Sequence, residues 1–230
     1  MIKKLTLALL FTLPTMAVAV DLEGFYITPK GGVSKSMDTG TMNYDNGQVV
    51  TLNDNDLGTG NTFGISAGKY ITDNFRLELE AIKRTGYKWD TTDTDNNLYD
   101  AKITSKSVFI NGFYDFQPFS LGNTPITPYL GGGVGISKNK MGTGHDFTQA
   151  NDVDGKTISQ FAYKVAAGTL VSLTESLSLD INYQYVNLGN FKSGVGVYDQ
   201  NGNFLANLPA GINGGEIKTQ ELMVGLQYKF

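Results

Sequence analysis

The sequence predicts an all-β fold, an eight-stranded antiparallel up-and-down barrel that crosses a membrane. Three observations support this prediction. Short segments that alternate apolar and polar residues recur along the whole chain, and this is the period of β-strands. The composition suits many strands and turns, with 28 Gly, 13 Phe, 12 Tyr and only 17% charged residues. One segment, Phe75–Trp89, places ionisable groups on the face that a soluble sheet would bury.

The first nineteen residues are expected to be a signal peptide. Lys3 and Lys4 supply the positive charge, residues 5–13 form the apolar core, and residues 17–19 (Ala-Val-Ala) are small enough for a cleavage site. The apolar run is shorter than the roughly 20 residues that a membrane-spanning helix needs. Because no linker or change of composition divides the remainder, residues 20–230 are predicted to form one barrel domain.

Eight alternating segments are predicted to be the barrel strands. In chain order they are Gly24–Lys35, Asn61–Ile71, Phe75–Trp89, Ala101–Phe116, Ile126–Lys138, Ile158–Leu173, Leu177–Leu188 and Glu216–Phe230.

The first four segments each have one apolar face. Its residues are, segment by segment, Phe25, Ile27, Pro29 and Val33, then Phe63, Ile65 and Ala67, then Phe75, Leu77, Leu79 and Ala81, then Val108, Ile110 and Tyr114. The third segment argues most clearly for a barrel, because Arg76, Glu78 and Glu80 alternate with its apolar face. A soluble sandwich would have to bury these three charges, whereas a membrane barrel turns its apolar face to lipid and its charges to the lumen.

The last four segments continue this pattern. The apolar faces of the fifth, seventh and eighth consist of Leu130, Val134 and Ile136, then Leu177, Leu179, Ile181, Tyr183 and Tyr185, then Leu222, Val224, Leu226, Tyr228 and Phe230. The sixth and seventh segments form a hairpin across Thr174–Ser176. The eighth makes the count even, and we expect it to close the barrel by pairing with the first.

Connection lengths predict the orientation. The long connections follow strands one, three, five and seven, and they are Ser36–Gly60, Asp90–Asp100, Asn139–Thr157 and Gly189–Gly215. Outer-membrane barrels have short periplasmic turns and longer outer loops. Both termini are therefore predicted to lie in the periplasm, and all four long loops outside the cell.

Four blocks of the sequence resemble the eight-stranded outer-membrane β-barrel superfamily. They are Tyr70–Glu80, Ile110–Phe116, Pro128–Gly135 and Gly225–Phe230. This group includes the opacity proteins, surface antigens, small rickettsial-type adhesins and the barrel domain of OmpA. For this chain we expect no counterpart of the domain that follows the barrel in full-length OmpA. The resemblance implies the outer membrane of a Gram-negative bacterium, with outer-membrane lipid and lipopolysaccharide around the barrel. It also implies that the barrel-assembly machinery reads the last strand, with Tyr228 and Phe230 as the assembly signal.

Strand parity directs a balanced set of charges into the lumen. The cations are Lys30, Arg76, Arg84, Lys164 and Lys229, and the anions are Glu78, Glu80, Asp115, Asp180 and Glu221. An eight-stranded barrel is only just wide enough for its side chains to fill, and charges in such a space must pair or stay hydrated. We therefore expect a plugged, salt-bridged interior around Lys30, Glu78 and Lys164. A narrow pore is the alternative.

The preferred function is that of a monomeric surface antigen or adhesin that binds a host-cell surface protein or an environmental partner through its loops. Loop Gly189–Gly215 is the favoured contact, because it carries apolar residues that a merely solvated loop does not need. These residues are Val197, Tyr198, Phe204, Leu205, Leu208 and Ile212. The alternatives are that they pack against neighbouring loops or form a hairpin around Asn201-Gly202. The alternative function is a structural barrel or narrow porin without a specific ligand.

The remaining motifs favour no enzyme, cofactor or metal site. Cysteine is absent, so disulfides and cysteine-ligated zinc are excluded. Gly131–Gly135 lacks the helix and the Lys-Ser/Thr pair of a phosphate-binding loop, and we interpret it as a curved strand. His145 beside Asp146 is interpreted as a solvated loop pair, with a catalytic pair as the alternative. A net charge of -4 without a basic cluster argues against nucleic acid as a partner.

Two groups of surface charges have two interpretations each. Three acidic stretches favour solvated turns over weak Ca²⁺ sites; they are Asn53–Asp56, Asp93–Asn96 and Asp152–Gly155. Lys83, Lys88 and Lys106 are either ordinary rim charges or contacts to lipopolysaccharide phosphates beside an aromatic girdle of Tyr87 and Trp89.

Overall fold

The computed structural model describes residues 22–40, 42–44, 49–50, 56–92, 98–208 and 210–230. The expected signal peptide, Asp93–Asn96 and most of Asn53–Asp56 lie outside the described residues. The strands are β1 Phe25–Ser36, β2 Met42–Tyr44, β3 Val49–Val50, β4 Thr59–Tyr70, β5 Phe75–Thr92, β6 Leu98–Asp115, β7 Phe119–Leu121, β8 Thr124–Asp146, β9 Asn151–Ser172, β10 Leu177–Asp199, β11 Phe204–Asn207 and β12 Ile212–Lys229. The described part of the chain has no helix of the length and apolarity needed to cross a membrane.

Eight of these strands close into a ring. Each pairs antiparallel with its neighbours in the order β1, β4, β5, β6, β8, β9, β10, β12, and β12 returns to β1. At the seam Ile27 lies opposite Tyr228, and Val33 lies opposite Leu222. The predicted eight-stranded barrel is therefore confirmed, with its last strand against its first. The short strands extend the sheet, since β2 pairs with β12, β3 with β2, β7 with β8 and β11 with β10.

The outer wall of the barrel is apolar and the interior is polar, as the alternation predicts. Leu79 and Ile110 lie side by side on β5 and β6, and they expose 57% and 64% of their surface on the outside. Glu78 and Glu80, one residue away on either side of Leu79, are buried in the interior. This arrangement suits a wall that faces hydrocarbon.

Three strands, β8, β9 and β10, extend furthest beyond their predicted ends, which corrects the predicted loop boundaries. β8 continues to Asp146 and β9 begins at Asn151, so the predicted loop Asn139–Thr157 is a hairpin whose turn occupies only residues 147–150. β10 likewise continues to Asp199. The Gly, Asn and Asp residues of these stretches suggested loops, but the neighbouring strands supply ladder partners for their backbone groups.

A β-bulge in β5 overturns the prediction that Tyr87 and Trp89 belong to the aromatic girdle. The register with β6 shifts between Arg84 and Tyr87, and Gly86 adopts a φ of 94°. One extra residue in a strand reverses the side that every later residue faces. Lys83 is exposed on the outer wall, but Tyr87 and Trp89 turn inward and expose only 1% and 2% of their surface.

Candidate functional site

Buried ion pairs fill the middle of the barrel. Lys30 Nζ lies 3.2 Å from Glu78 Oε1 and 2.9 Å from Glu80 Oε2. Lys164 Nζ lies 2.6 Å from Glu80 Oε1, so Glu80 is shared between two ammonium groups. Asn111 donates a hydrogen bond of 3.2 Å to Glu78 Oε1. Each charge thus has an opposite charge beside it, as burial in a low-dielectric interior requires.

Towards the periplasmic end, Arg76 is enclosed by aromatic rings. Its guanidinium carbon lies 4.4 Å from the ring centroid of Phe113 and 4.5 Å from that of Tyr129. Arg76 Nε donates to Asp115 Oδ1 at 3.0 Å, and Nη1 donates to the Tyr26 hydroxyl at 3.2 Å. The cation–π contacts and the charge-assisted hydrogen bond together fix the plane of the guanidinium group.

Towards the extracellular end, Arg84 and Glu221 join two walls of the lumen. Arg84 Nε donates to Glu221 Oε1 at 2.6 Å, and Nη2 donates to Oε2 at 3.2 Å. Gln184 Nε2 donates to Glu221 Oε2 at 2.6 Å, and the Ser34 hydroxyl donates to Oε1 at 3.0 Å. Ser34 also shares a short hydrogen bond with the Tyr87 hydroxyl, which the bulge has turned inward. The Glu221 carboxylate therefore has several donors around it.

Nine of the ten residues predicted for the lumen are enclosed in the barrel. They are Lys30, Arg76, Glu78, Glu80, Arg84, Asp115, Lys164, Asp180 and Glu221. Asp180 accepts a hydrogen bond of 2.5 Å from the Tyr129 hydroxyl. Lys229 is instead exposed at the periplasmic mouth, where its Nζ lies 5.0 Å from the centroid of the Tyr70 ring.

An apolar core, which was not among the predicted features, closes the lumen above the ion pairs. This apolar cap consists of Leu57, Tyr87, Trp89, Ala101, Ile103, Phe109, Met141, Ala162, Val186, Leu188, Phe191, Ile212 and Ile217. Parity alone could have revealed part of it. Phe109 has the inward parity of Asn111, and Ile217 has that of Glu221. The predicted plug of charges is therefore covered by a second, apolar layer on the side of the loops.

Only part of the predicted partner-binding loop is presented to solvent. Phe204 and Leu205 expose 58% and 52% of their surface. Ile212 belongs to the apolar cap, Leu208 packs against it, and both line a cavity of about 130 Å³ together with Val197. Ile212 is buried, whereas Val197 and Leu208 are half-buried, and Trp89 lines the same cavity. Their role as contact residues stays a prediction, with less of their surface available than that of Phe204 and Leu205.

The exposed part of this loop is a hairpin between β10 and β11. Asp199 Oδ1 accepts hydrogen bonds from the backbone N–H groups of Asn201 and Asn203 at 2.9 and 2.8 Å. Asn203 also donates its side-chain N–H to Asp199 Oδ2, and these bonds lower the pKa of the Asp199 carboxyl. Tyr198 and Phe204 stack edge to face across the hairpin, with ring centroids 5.8 Å apart. The turn at Asn201-Gly202, considered as an alternative, is thus present, with Gly202 at a φ of 82°.

His145 is paired with Asp152, not with its sequence neighbour Asp146. His145 Nδ1 lies 2.6 Å from Asp152 Oδ1, directly across the β8–β9 ladder. Asp146 instead caps the turn, where its Oδ1 accepts from the N–H groups of Thr148 and Gln149, both at 3.0 Å. The acidic stretch that starts at Asp152 therefore lies within a strand. The described residues contain no group of three or more His, Asp or Glu side chains that could hold a metal ion.

The predicted assembly signal lies on the outer wall at the periplasmic end. Tyr228 and Phe230 are exposed and stack edge to face, with ring centroids 5.1 Å apart. The N–H of Phe230 donates to the carbonyl of Phe25 at 2.9 Å. The end of the chain is thereby fixed to the start of β1.

Comparison with known proteins places this geometry in a wider group. The family model described as "Outer membrane protein beta-barrel domain" matches residues 5–230. Outer membrane protein PagN of Salmonella typhimurium is 26% identical, with 93% of this chain and 93% of PagN covered. A Rickettsia conorii protein named as an adhesin candidate is 28% identical, with 59% of this chain and 56% of that protein covered.

Two solved structures share the fold. OprG of Pseudomonas aeruginosa superposes with a TM-score of 0.60 at 16% identity, covering 90% of this chain and 96% of OprG. Neisserial surface protein A superposes with a TM-score of 0.55 at 17% identity, covering 90% of this chain and 98% of that chain. At these identities the likeness establishes the barrel and its strand arrangement alone.

Proposed function

Because this chain belongs to the outer membrane protein β-barrel domain family, we propose that it is a surface adhesin whose β10–β11 hairpin binds a host-cell surface protein or an environmental partner. The barrel lies in the bacterial outer membrane. The end of β8 at Asp146, the start of β9 at Asn151 and the end of β10 at Asp199 project from the cell surface. The hairpin is therefore held at the surface by a rigid scaffold, where binding residues are usually found.

The exposed Phe204 and Leu205 carry this proposal. Each leaves more than half of its surface uncovered, and the Tyr198 ring packs against Phe204 from the other strand of the hairpin. The Asp199 hydrogen bonds fix the turn. Aromatic and apolar side chains on an ordered hairpin are typical anchors of protein interfaces, because little entropy is lost when they bind. The name of the rickettsial relative adds support from outside the chain.

The experiment is a binding assay with cultured host cells. The variant F204S/L205S removes both anchors and keeps the hairpin, and we expect it to lose most of the cell binding. The variant F147S is the matched control, because Phe147 is an exposed aromatic at the tip of the neighbouring β8–β9 hairpin. Heat-modifiable migration in gels verifies that each barrel is folded. Undiminished binding by F204S/L205S contradicts the proposal.

A structural barrel without a specific ligand is the second candidate, and the filled lumen favours it over a porin. Ion pairs occupy the middle of the lumen and the apolar cap closes its upper end, so we propose that the barrel does not conduct. We further propose that it acts as a monomer without catalytic activity and that residues 1–19 direct its export and are removed by cleavage after Ala19. A His145→Ala variant with unchanged behaviour in every assay would support the absence of catalytic activity, and N-terminal sequencing of the membrane-bound form would test the cleavage.

A further inference from the structure

Three lysines stand side by side on the outer wall, on the extracellular side of the apolar band. Lys106 on β6 lies directly opposite Lys83 on β5 and directly opposite Lys138 on β8. All three side chains are exposed. Adjacent strands lie about 4.8 Å apart, so the three Cα atoms span only about 10 Å. We call these residues the lysine row.

The part of the chain that the structure describes gives the lysine row no counter-charge. Among the residues that the structure describes, no carboxylate forms an ion pair with Lys83, Lys106 or Lys138. Like charges directly opposite each other on a sheet are destabilising. Three more lysines, Lys88, Lys102 and Lys140, are exposed on the same three strands and add to the positive potential. A dense negative group such as a phosphate would relieve this repulsion.

An apolar groove begins immediately below the lysine row. Two residues nearer the membrane centre, Ala81, Val108 and Ile136 lie opposite one another on the same three strands. Ala81 has the smallest side chain of the three, so it forms the floor of the groove, and Phe63 and Ile65 on β4 form one wall. The groove has a volume of about 740 Å³, and all three lysines of the row line its upper end. An apolar channel that ends at a cluster of cations has the shape and polarity of an acyl chain joined to a phosphate.

We propose that the lysine row and this groove bind one phosphorylated lipid of the outer leaflet. Its phosphate lies against the ammonium groups of Lys83, Lys106 and Lys138, and one acyl chain lies over Ala81. The site rests on one part of the proposed function, the location of the barrel in the outer membrane. It is independent of partner binding by the β10–β11 hairpin.

Native mass spectrometry of the refolded barrel in detergent tests the site, with diphosphoryl lipid A as the probe. The variant K83Q/K106Q/K138Q should weaken lipid binding on the order of a hundredfold, since each basic group near an anionic surface contributes a several-fold factor. The variant A81F keeps all charges and fills the groove, and it should weaken binding at least tenfold. Inorganic phosphate at the same concentration should give no adduct, because it lacks the acyl chain.

The control variant is K35Q/K69Q/K156Q, which removes three exposed lysines from other strands and so matches the change in net charge. Its lipid affinity should stay within about twofold of the wild type, because the site depends on where the three lysines lie and not on net charge alone. Equal weakening by both triple variants, or equal binding of zwitterionic phosphatidylcholine by the wild type, overturns the proposal. The F204S/L205S variant should bind the lipid like the wild type, which separates this site from the adhesin function.

Discussion

Arg84 and Glu221 are 137 positions apart in the chain, yet they form a two-pronged ion pair inside the barrel with donor–acceptor distances of 2.6 and 3.2 Å. Neither side chain reaches solvent. The pair connects β5 to β12 across the lumen, and β12 is the strand that closes the ring. Loss of this pair should therefore affect the barrel as a whole.

The variant E221Q should destabilise the barrel by about 3–5 kcal/mol, because it leaves the buried Arg84 charge without its partner. Urea unfolding in detergent micelles, followed by tryptophan fluorescence, measures the change in the free energy of unfolding. The double variant R84M/E221Q removes both charges and should recover most of the loss, since no buried charge is left unpaired and the amide oxygen introduced at position 221 still accepts from Gln184 or Ser34. An E221Q barrel as stable as the wild type would show that water reaches this pair.

The filled lumen should block ions. Lys30, Glu80 and Lys164 occupy its middle, and Phe109, Phe191 and the rest of the apolar cap lie above them. We expect refolded wild-type barrel to produce no steady openings in planar bilayers, with a general porin as the positive control. Regular openings on the order of a nanosiemens would contradict the plugged interior and favour the narrow pore.

Any side chain at position 86 should lower the stability of the barrel. The φ of 94° at Gly86 is a conformation that L-residues avoid, so Gly86→Ala should lower the unfolding free energy by about 1–2 kcal/mol. Gly31→Ala is the control, since a Cβ there meets its nearest atom at an ordinary 3.5 Å. Urea unfolding of both variants makes the comparison. Equal unfolding free energies of the two variants would mean that the bulge relaxes to accept a side chain. The fluorescence of Trp89 should then change, because its surroundings change.

Phe230 should matter for assembly in the cell and much less for the folded barrel. We expect Phe230→Ala to lower the amount of barrel in the outer membrane several-fold, while the purified variant still refolds in detergent. Phe116→Ala is the control, because Phe116 is also an exposed aromatic that stacks on a neighbour, Tyr114, with centroids 5.3 Å apart. Equal surface levels of the two variants would remove the special role of the last residue.

Side-chain parity predicted the barrel because the two faces of each strand meet media of opposite polarity. Glu78, Leu79 and Glu80 illustrate this, since each faces the side that its chemistry requires. The prediction failed at Tyr87, because one glycine-dependent bulge reverses parity and no period of two can anticipate it. It also could not say that Lys164 pairs with Glu80, because that contact depends on how far each strand is shifted relative to the others.

The loop predictions failed for a different reason. Asp199 and Asn203 are residues typical of loops, and they do form a turn. The neighbouring strands extend further than their composition suggests, because Ile212 and Leu208 pack in or against the apolar cap above the membrane. The sequence of one strand does not predict this cap, because residues from several strands form it.

The continuation of β8, β9 and β10 above the membrane has a consequence for how this protein can change. Residues 147–150 and 200–203 are the tips of the two hairpins, and their side chains are exposed. Substitutions and short insertions at these tips leave the ladders below them intact. The sequence can therefore change at the tips while the barrel below stays the same, and both tips are suitable for the display of foreign peptides on the cell surface.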